Sequence, residues 1–220
     1  MSSKRLPGKV LLKLDQKALL QWTIERLRKN SYKIPVAVIS SDKKSDKPIE
    51  EFCDRNKVLF YKGSLENVIN RFQMACQFFQ EDFFIRVSGD SPLIDPKLID
   101  KAYEIHCKQN FDLITNIMKR TFPKGQSVEL ISKKAINYLQ KFNLSSEEKE
   151  HVTLGFYKNK NEFKISNFES GSNIYSLQQQ SIDTLEDYLK IKNLIKLEPD
   201  AFNLNWLDLY LKIKDIKDNE

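Results

Sequence analysis

Cysteine is scarce in this 220-residue chain. Cys53, Cys76 and Cys107 form an odd, widely spaced set with no C-x-x-C pair, and only Cys107 stands beside a histidine, His106, so a Cys/His metal site is not expected. No run of about 18 apolar residues occurs and no signal peptide precedes the first motif, so the protein is read as cytoplasmic, with reduced thiols and no membrane insertion. Glycine (6) and proline (7) are also few, and a composition 40% hydrophobic and 30% charged is globular rather than disordered or fibrous. Blocks of like charge are missing as well. The net charge of +6 comes from lysines interleaved with acids along the whole length, mostly a solvated surface. Such an excess suits a polyanionic small substrate or nonspecific nucleic-acid contact, and the number does not choose between them.

What is present is a beat of helix and strand within a length that suits one domain, 1–220. Ala18 to Asn30 puts Leu20, Ile24 and Leu27 on one helical stripe, and Ile34 to Ile39 is a short apolar run ended by Ser40-Ser41-Asp42, as a buried parallel strand would be. A helix over Pro48 to Asn56, a strand over Val58 to Tyr61, a helix over Leu65 to Phe79 and a strand over Phe83 to Val87 continue the pattern. Asp95 as N-cap and Pro96 at the first position start a helix through Cys107, and Asp112-Leu113-Ile114 opens another strand. The pattern loosens over 121–167, read as an excursion from the main sheet with a helix near Lys133 to Lys141 and a strand near Phe163 to Ile165. Ser181-Ile182-Asp183 is read as a returning strand end, Thr184 as the cap of a helix over Leu185 to Leu197, and Phe202 to Lys214 as a terminal helix. The expected fold is α/β, a mostly parallel sheet with helices on both faces and ligands at the carboxyl ends of the strands.

The candidate chemistry gathers at those ends. Ser2-Ser3-Lys4-Arg5-Leu6-Pro7-Gly8-Lys9 combines hydroxyls, a Pro-Gly turn and three cations, which suits either a loop wrapping an oligophosphate or a disordered basic terminus. It is not a Walker A loop, because no Ser or Thr follows Gly8-Lys9. Asp90 and Asp183 each stand at a strand end, where each alone reads as a turn or capping residue. Arriving together opposite a basic loop, they suit a metal bridging triphosphate oxygens. His151 is either structural or a titrating or coordinating group, His106 has no role, and Arg71 is either solvated or reaches back to the Gly63-Ser64 loop.

Five strings occur in one order: Arg5-Leu6-Pro7-Gly8-Lys9-Val10-Leu11, Gly63-Ser64-Leu65-Glu66-Asn67-Val68-Ile69-Asn70-Arg71-Phe72, Arg86-Val87-Ser88-Gly89-Asp90-Ser91-Pro92-Leu93-Ile94-Asp95, Glu150-His151-Val152-Thr153 and Ile182-Asp183-Thr184-Leu185-Glu186-Asp187. Together they resemble the cytidylyltransferases that make CMP-activated 3-deoxy-octulosonate and sialic acids, nearest the branch of spore coat polysaccharide biosynthesis protein F. The resemblance implies a Rossmann-like fold and a reaction in which a sugar acid's anomeric hydroxyl attacks the α-phosphate of CTP and pyrophosphate leaves, for surface polysaccharide or glycan synthesis. It implies Arg5 and Lys9 on the triphosphate with Ser3 and Gly8 in the same loop, Mg²⁺ on Asp90 and Asp183, and Ser40, Gly63, Ser64 and Arg71 bordering the cytidine. Gln126, Glu129 and His151 would face the sugar acid. A homodimer pairing through part of 121–167 is implied, with no nucleic-acid partner.

Relatives usually carry an apolar strand and an Ala-Arg pair ahead of the Met-Ser-Ser-type turn, so the first strand of the sheet and one triphosphate-binding arginine are expected to be missing here. Near Gln178-Gln179-Gln180 relatives tend to have an arginine and apolar residues. The competing readings are an N-terminally truncated, inactive nucleotide-binding homologue, and a nucleotide-sugar glycosyltransferase. The latter usually shows an Asp-x-Asp pair that Asp90-Ser91-Pro92 does not offer.

Overall fold

The computed structural model describes residue 3 and residues 5–218; Ser2 and Lys4, two of the loop residues expected to wrap phosphate, lie outside the described residues. A 3-10 turn over Lys9–Leu11 leads into a short antiparallel hairpin, β1 (Lys13–Leu14) and β2 (Lys17–Ala18). Then come α1 (Leu19–Leu27), β3 (Ala37–Ser41), α2 (Lys47–Arg55), β4 (Leu59–Gly63), α3 (Val68–Phe78), β5 (Phe83–Arg86), α4 (Pro96–Lys108) and β6 (Leu113–Thr115), in the expected alternation. The second half supplies β7 (Glu129–Ser132), α5 (Lys133–Leu139), α6 (Ser146–Glu150), α7 (Leu154–Lys158), β8 (Ile165–Asn167), α8 (Leu185–Leu197) and α9 (Trp206–Asp218).

Local chemistry sets many of the boundaries. The Asp95 carboxylate accepts from Lys97 N–H at 2.9 Å with Pro96 at the first position of α4. Thr184 and Asp187 form a reciprocal capping box at the start of α8, and Ser145 with Glu148 does the same for α6. Each pair satisfies amides that a helix N-terminus otherwise leaves without partners.

The α/β expectation holds, but the pairing is mixed rather than mostly parallel. β3 and β4 pair in parallel from Ala37↔Leu59 to Ser41↔Gly63. A second sheet has the order β5-β7-β6-β8, in which β7 runs antiparallel to both neighbours and β6 is parallel to β8. The reversal is physical. The segment between β6 and β7 needs no crossover helix because it folds back on itself, clamped by Asn116, whose amide donates to Gln126 O at 2.7 Å and accepts from Val128 N–H at 2.9 Å. Of the region 121–167, expected as an excursion, two stretches thus lie inside the sheet as β7 and β8.

Ser181–Asp183 is not a strand end, contrary to expectation. It is an extended segment whose Ile182 N–H donates to Asp90 O at 3.0 Å, next to an isolated bridge between Lys124 and Gln179. Helices cover both faces of the sheet, as alternation along β5 shows: Phe83 and Ile85 pack with Leu98, Ile99 and Ala102 of α4, whereas Phe84 stacks on Phe72 of α3. Leu113, Ile131, Ile136 and Phe156 are among the completely buried side chains on that second side.

Candidate active site

The basic loop closes on two carboxylates. Gly8 sits at φ 71, in the left-handed region that glycine adopts at no steric cost, and starts the 3-10 turn that aims Lys9 inward. Within the loop Leu6 N–H donates to Ser3 Oγ at 3.3 Å and Lys9 N–H to Leu6 O at 3.3 Å. Asp90 follows β5, and the Ile182–Asp90 backbone bond brings Asp183 alongside it. Lys9 Nζ donates to Asp90 Oδ2 at 2.5 Å and to Asp183 Oδ1 at 2.8 Å. Arg5 Nη2 lies 3.2 Å from the same Asp183 oxygen with its side chain 66% exposed, and Gln179 donates to the other oxygen at 3.3 Å. Burial disfavours the Lys9 ammonium, but its bonds to Asp183 and Asp90 outweigh that and raise its pKa. Burial likewise opposes the Asp183 charge, and Lys9, Arg5 and Gln179 together hold that carboxyl below its ordinary value.

A cation therefore already sits between two hard oxygen donors. Among the described residues no group of three or more His, Cys, Asp or Glu side chains gathers to hold a metal. Two carboxylates are the donor set for a Mg²⁺ that arrives with substrate phosphates and keeps waters, rather than for an all-protein cage. Asp90 and Asp183 fit that ion.

The expected nucleotide loops meet at the ends of β3 and β4, joined by Asp42 N–H to Gly63 O at 2.9 Å. Arg71 does reach back: its Nη1 donates to Ser64 O at 3.0 Å, while its Nε is buried without a hydrogen-bond partner. Such an orphaned donor is what a ligand carbonyl or hydroxyl could satisfy. Gly63 gives Arg71 its room, since a Cβ there would come within 2.9 Å of the Arg71 stem. Ser40 is buried and its hydroxyl is turned to Asp46 at 2.8 Å.

On the other side of Asp90 the residues sort differently from the expectation. Gln126 is completely buried, its amide hydrogens given to Leu93 O and Gln180 Oε1 and its oxygen taken by Asp95 N–H, each at 2.8 Å. It clasps three segments together. Glu129 is also buried, and it pairs with Arg86 across the β5–β7 register and accepts from Thr153 Oγ1. His151 is exposed at the end of α6, and Thr153, two residues on, is the one that turns inward. Sequence reasoning left out Arg86, Arg120 and Tyr157. Arg120 donates to Ser127 Oγ at 3.1 Å and feels the Glu129 charge, and Tyr157 shares a 3.1 Å bond with Thr115 at the end of β6. Two guanidiniums thus act on the one Glu129 carboxylate, a surplus of positive charge around it. Arg86 opens the same string that carries Asp90, a signal that was available.

A lysine held by Asp90, beyond the carboxyl end of β5, and by Asp183 on the extended segment beside it, on a helix-covered sheet, fits a Rossmann-like nucleotidyltransferase. The cytidylyltransferase family model matches residues 1–219, and the chain belongs to that family of CTP-dependent nucleotidyltransferases. It is similar to spore coat polysaccharide biosynthesis protein SpsF of Bacillus subtilis, 30% identical over 200 residues, covering 88% of this chain and 82% of that one. Part of it is similar to 3-deoxy-manno-octulosonate cytidylyltransferase of Leptospira interrogans, 27% identical over 101 residues, 45% of this chain and 40% of that one. A solved cytidylyltransferase from Leptospira borgpetersenii superimposes with a TM-score of 0.90 at 28% identity, covering 100% of this chain and 91% of that one.

Proposed function

We propose that the protein transfers a cytidylyl group from CTP to the anomeric hydroxyl of a nonulosonic or octulosonic type sugar acid, releasing pyrophosphate, in the assembly of a surface polysaccharide or glycan. The observation that carries this reading is Lys9 seated between Asp90 and Asp183. Asp90 and Asp183 would hold a Mg²⁺ that arrives with the nucleotide, and the ion would supply charge neutralisation on the phosphate oxygens. Lys9 and the exposed Arg5 are then free to turn onto the triphosphate, and the loop amides around Gly8 add donors without needing to reorganise.

Arg71, with its unpartnered Nε, and the Ser40 and Gly63-Ser64 loops border the cytidine. Arg86 and Arg120 hold the carboxylate of the sugar acid, with Glu129 fixing Arg86 in place. The sugar hydroxyl oxygen attacks the α-phosphorus, the bond from that phosphorus to the pyrophosphate oxygen breaks, and the hydroxyl proton passes to solvent. Positioning and charge neutralisation suffice for such a transfer, without a covalent protein nucleophile. The same reading takes 1–220 as one domain and the enzyme as a cytoplasmic homodimer paired through part of 121–167. Light scattering that returns a monomer would count against the pairing. No helix among the described residues is long and apolar enough to cross a membrane.

The test is pyrophosphate release with CTP, Mg²⁺ and a panel of octulosonic and nonulosonic acids. Release that depends on one of these acids is the expected result, and no release with any of them refutes the assignment.

A further inference from the structure

The turn that carries Gly125 is fixed from several sides. Pro123 and Gln126 are buried, and Gln126 N–H donates to Pro123 O at 3.1 Å, which closes a tight turn over 123–126. Gly125 stands at φ +98 against the Gln180–Ser181 peptide, and Gln126 is the buried clasp on Leu93 and Gln180. Lys124 is the one exposed residue of the four. Its N–H donates to Gln178 O at 3.0 Å and its carbonyl accepts from Gln180 N–H at 2.8 Å, so the backbone is held while the side chain projects. Its ammonium pairs with no acid among the described residues.

The bridge sets the direction of that side chain. Lys124 and Gln179 are partners in a parallel bridge. Such partners lie about 4.8 Å apart with their side chains on the same face, while neighbours along each chain alternate. Gln178 and Gln180 take the inner face, where Gln178 Nε2 donates to Tyr210 O at 2.9 Å and Gln180 Nε2 to Gln178 Oε1 at 2.8 Å. Gln179 takes the other, where its Nε2 donates to Ser181 Oγ at 2.9 Å and to Asp183 Oδ2 at 3.3 Å. Lys124 therefore stands on the face that carries Asp183, on the side of the carboxylate oxygen that Lys9 and Arg5 leave alone. The same loop borders the acid pocket, since Arg120 ahead of the turn and Ser127 after it are bonded to each other at 3.1 Å, and Arg120 acts on Glu129.

We propose that Lys124 is a further substrate-contacting residue, whose ammonium takes an oxygen of the phosphate that is transferred, the α-phosphate of CTP. The inference rests on the reading that the triphosphate gathers at Asp90 and Asp183 and the carboxylate of the sugar acid at Arg86 and Arg120, because the α-phosphorus then lies between the two. Lys124 stands between them as well. A lysine suits the place, as a compact point charge with three donors that can follow the phosphate oxygens as the sugar hydroxyl attacks. The clamped turn fixes where that charge starts from, so little reorganisation is needed when charge builds on the phosphate.

The experiment reads lysine acetylation and arginine modification by phenylglyoxal, residue by residue in the full chain, by mass spectrometry. With CTP and Mg²⁺ at about ten times the Kd, acetylation of Lys124 is expected to slow about fivefold or more, with Lys134 on α5 unchanged, and inorganic pyrophosphate with Mg²⁺ is expected to leave Lys124 reactive. Lys124→Met should weaken calorimetric binding of CTP with Mg²⁺ by about tenfold or more, Lys124→Arg should restore most of it, and Lys134→Met should bind as the parent does. Arg5 reports separately on the triphosphate. Protection of Arg5 without protection of Lys124 overturns this inference and leaves the reading of the site standing, whereas protection of neither overturns both. Equal protection of Lys124 by pyrophosphate overturns its placement on the transferred phosphate, and so does a Lys124→Met protein that binds CTP as tightly as the parent.

Discussion

Replacing Lys9 with methionine keeps most of the side chain's volume but removes the charge that Asp90 and Asp183 share. The two carboxylate oxygens lie 2.5 and 2.8 Å from one ammonium nitrogen, so they are at most about 5 Å apart. At that separation and an effective dielectric of about 20, two unit charges repel by about 3 kcal/mol. Without Lys9, the repulsion either destabilises the fold by a part of that amount or raises the pKa of one carboxyl by about 2 units. A divalent cation relieves it. Lys9→Met is therefore expected to lower Tm in chelator, to regain it in millimolar Mg²⁺, and to bind Mg²⁺ without nucleotide more tightly than the parent, whose lysine competes for the site. Scanning fluorimetry and calorimetric Mg²⁺ titration read both effects. A variant whose Tm and Mg²⁺ affinity both match the parent's refutes the placement of metal between these aspartates.

Asp90→Asn should lose pyrophosphate release by orders of magnitude while keeping its affinity for the free sugar acid, because its role is on the nucleotide phosphates; equal loss of both contradicts that role. Arg86→Met strands the buried Glu129 carboxylate and should cost about 3–5 kcal/mol in urea unfolding, whereas Arg86→Met with Glu129→Met should recover most of it and still fail to bind sugar acid. Gly125 stands at φ +98 with the Gln180–Ser181 peptide where a side chain would go, a Cβ coming within 2.5 Å of Ser181 N, so Gly125→Ala should lower stability by about 2 kcal/mol or more in the same assay. The pH dependence follows from the junction. Asp183, depressed from 3.8, contributes stability above that value and loses it as pH falls through its lower folded pKa, and Lys9, raised from 10.5, contributes below that value and loses it as pH rises through its higher one. The stability gap between the parent and Asp183→Asn should be flat from about pH 5 to 9 and shrink below about pH 4; a gap unchanged at pH 2 contradicts the assignment.

Signals local in the chain were legible without coordinates. Asp95-Pro96 and Thr184 start helices where their capping chemistry says they should, because a cap is decided within four residues. Lys9, Asp90 and Asp183 could be singled out as a basic loop and two acids at element ends. That Gln126 is a buried clasp, that Thr153 rather than His151 turns inward, and that Arg86 and Arg120 both act on Glu129 could not, because each depends on segments far apart in the chain. β7 escaped notice for a related reason: four residues that begin with a glutamate look like a strand only once β5 and β6 flank them and Arg86 neutralises the acid.

The sequence by itself determined the helix and strand beat, the caps and the family, since these rest on residue order and near-neighbour sterics. Only the tertiary structure decided that the sheet is mixed, that one lysine holds both aspartates, and that the Ile182–Asp90 backbone bond brings Asp183 alongside Asp90, because register and the meeting of distant segments are properties of packing.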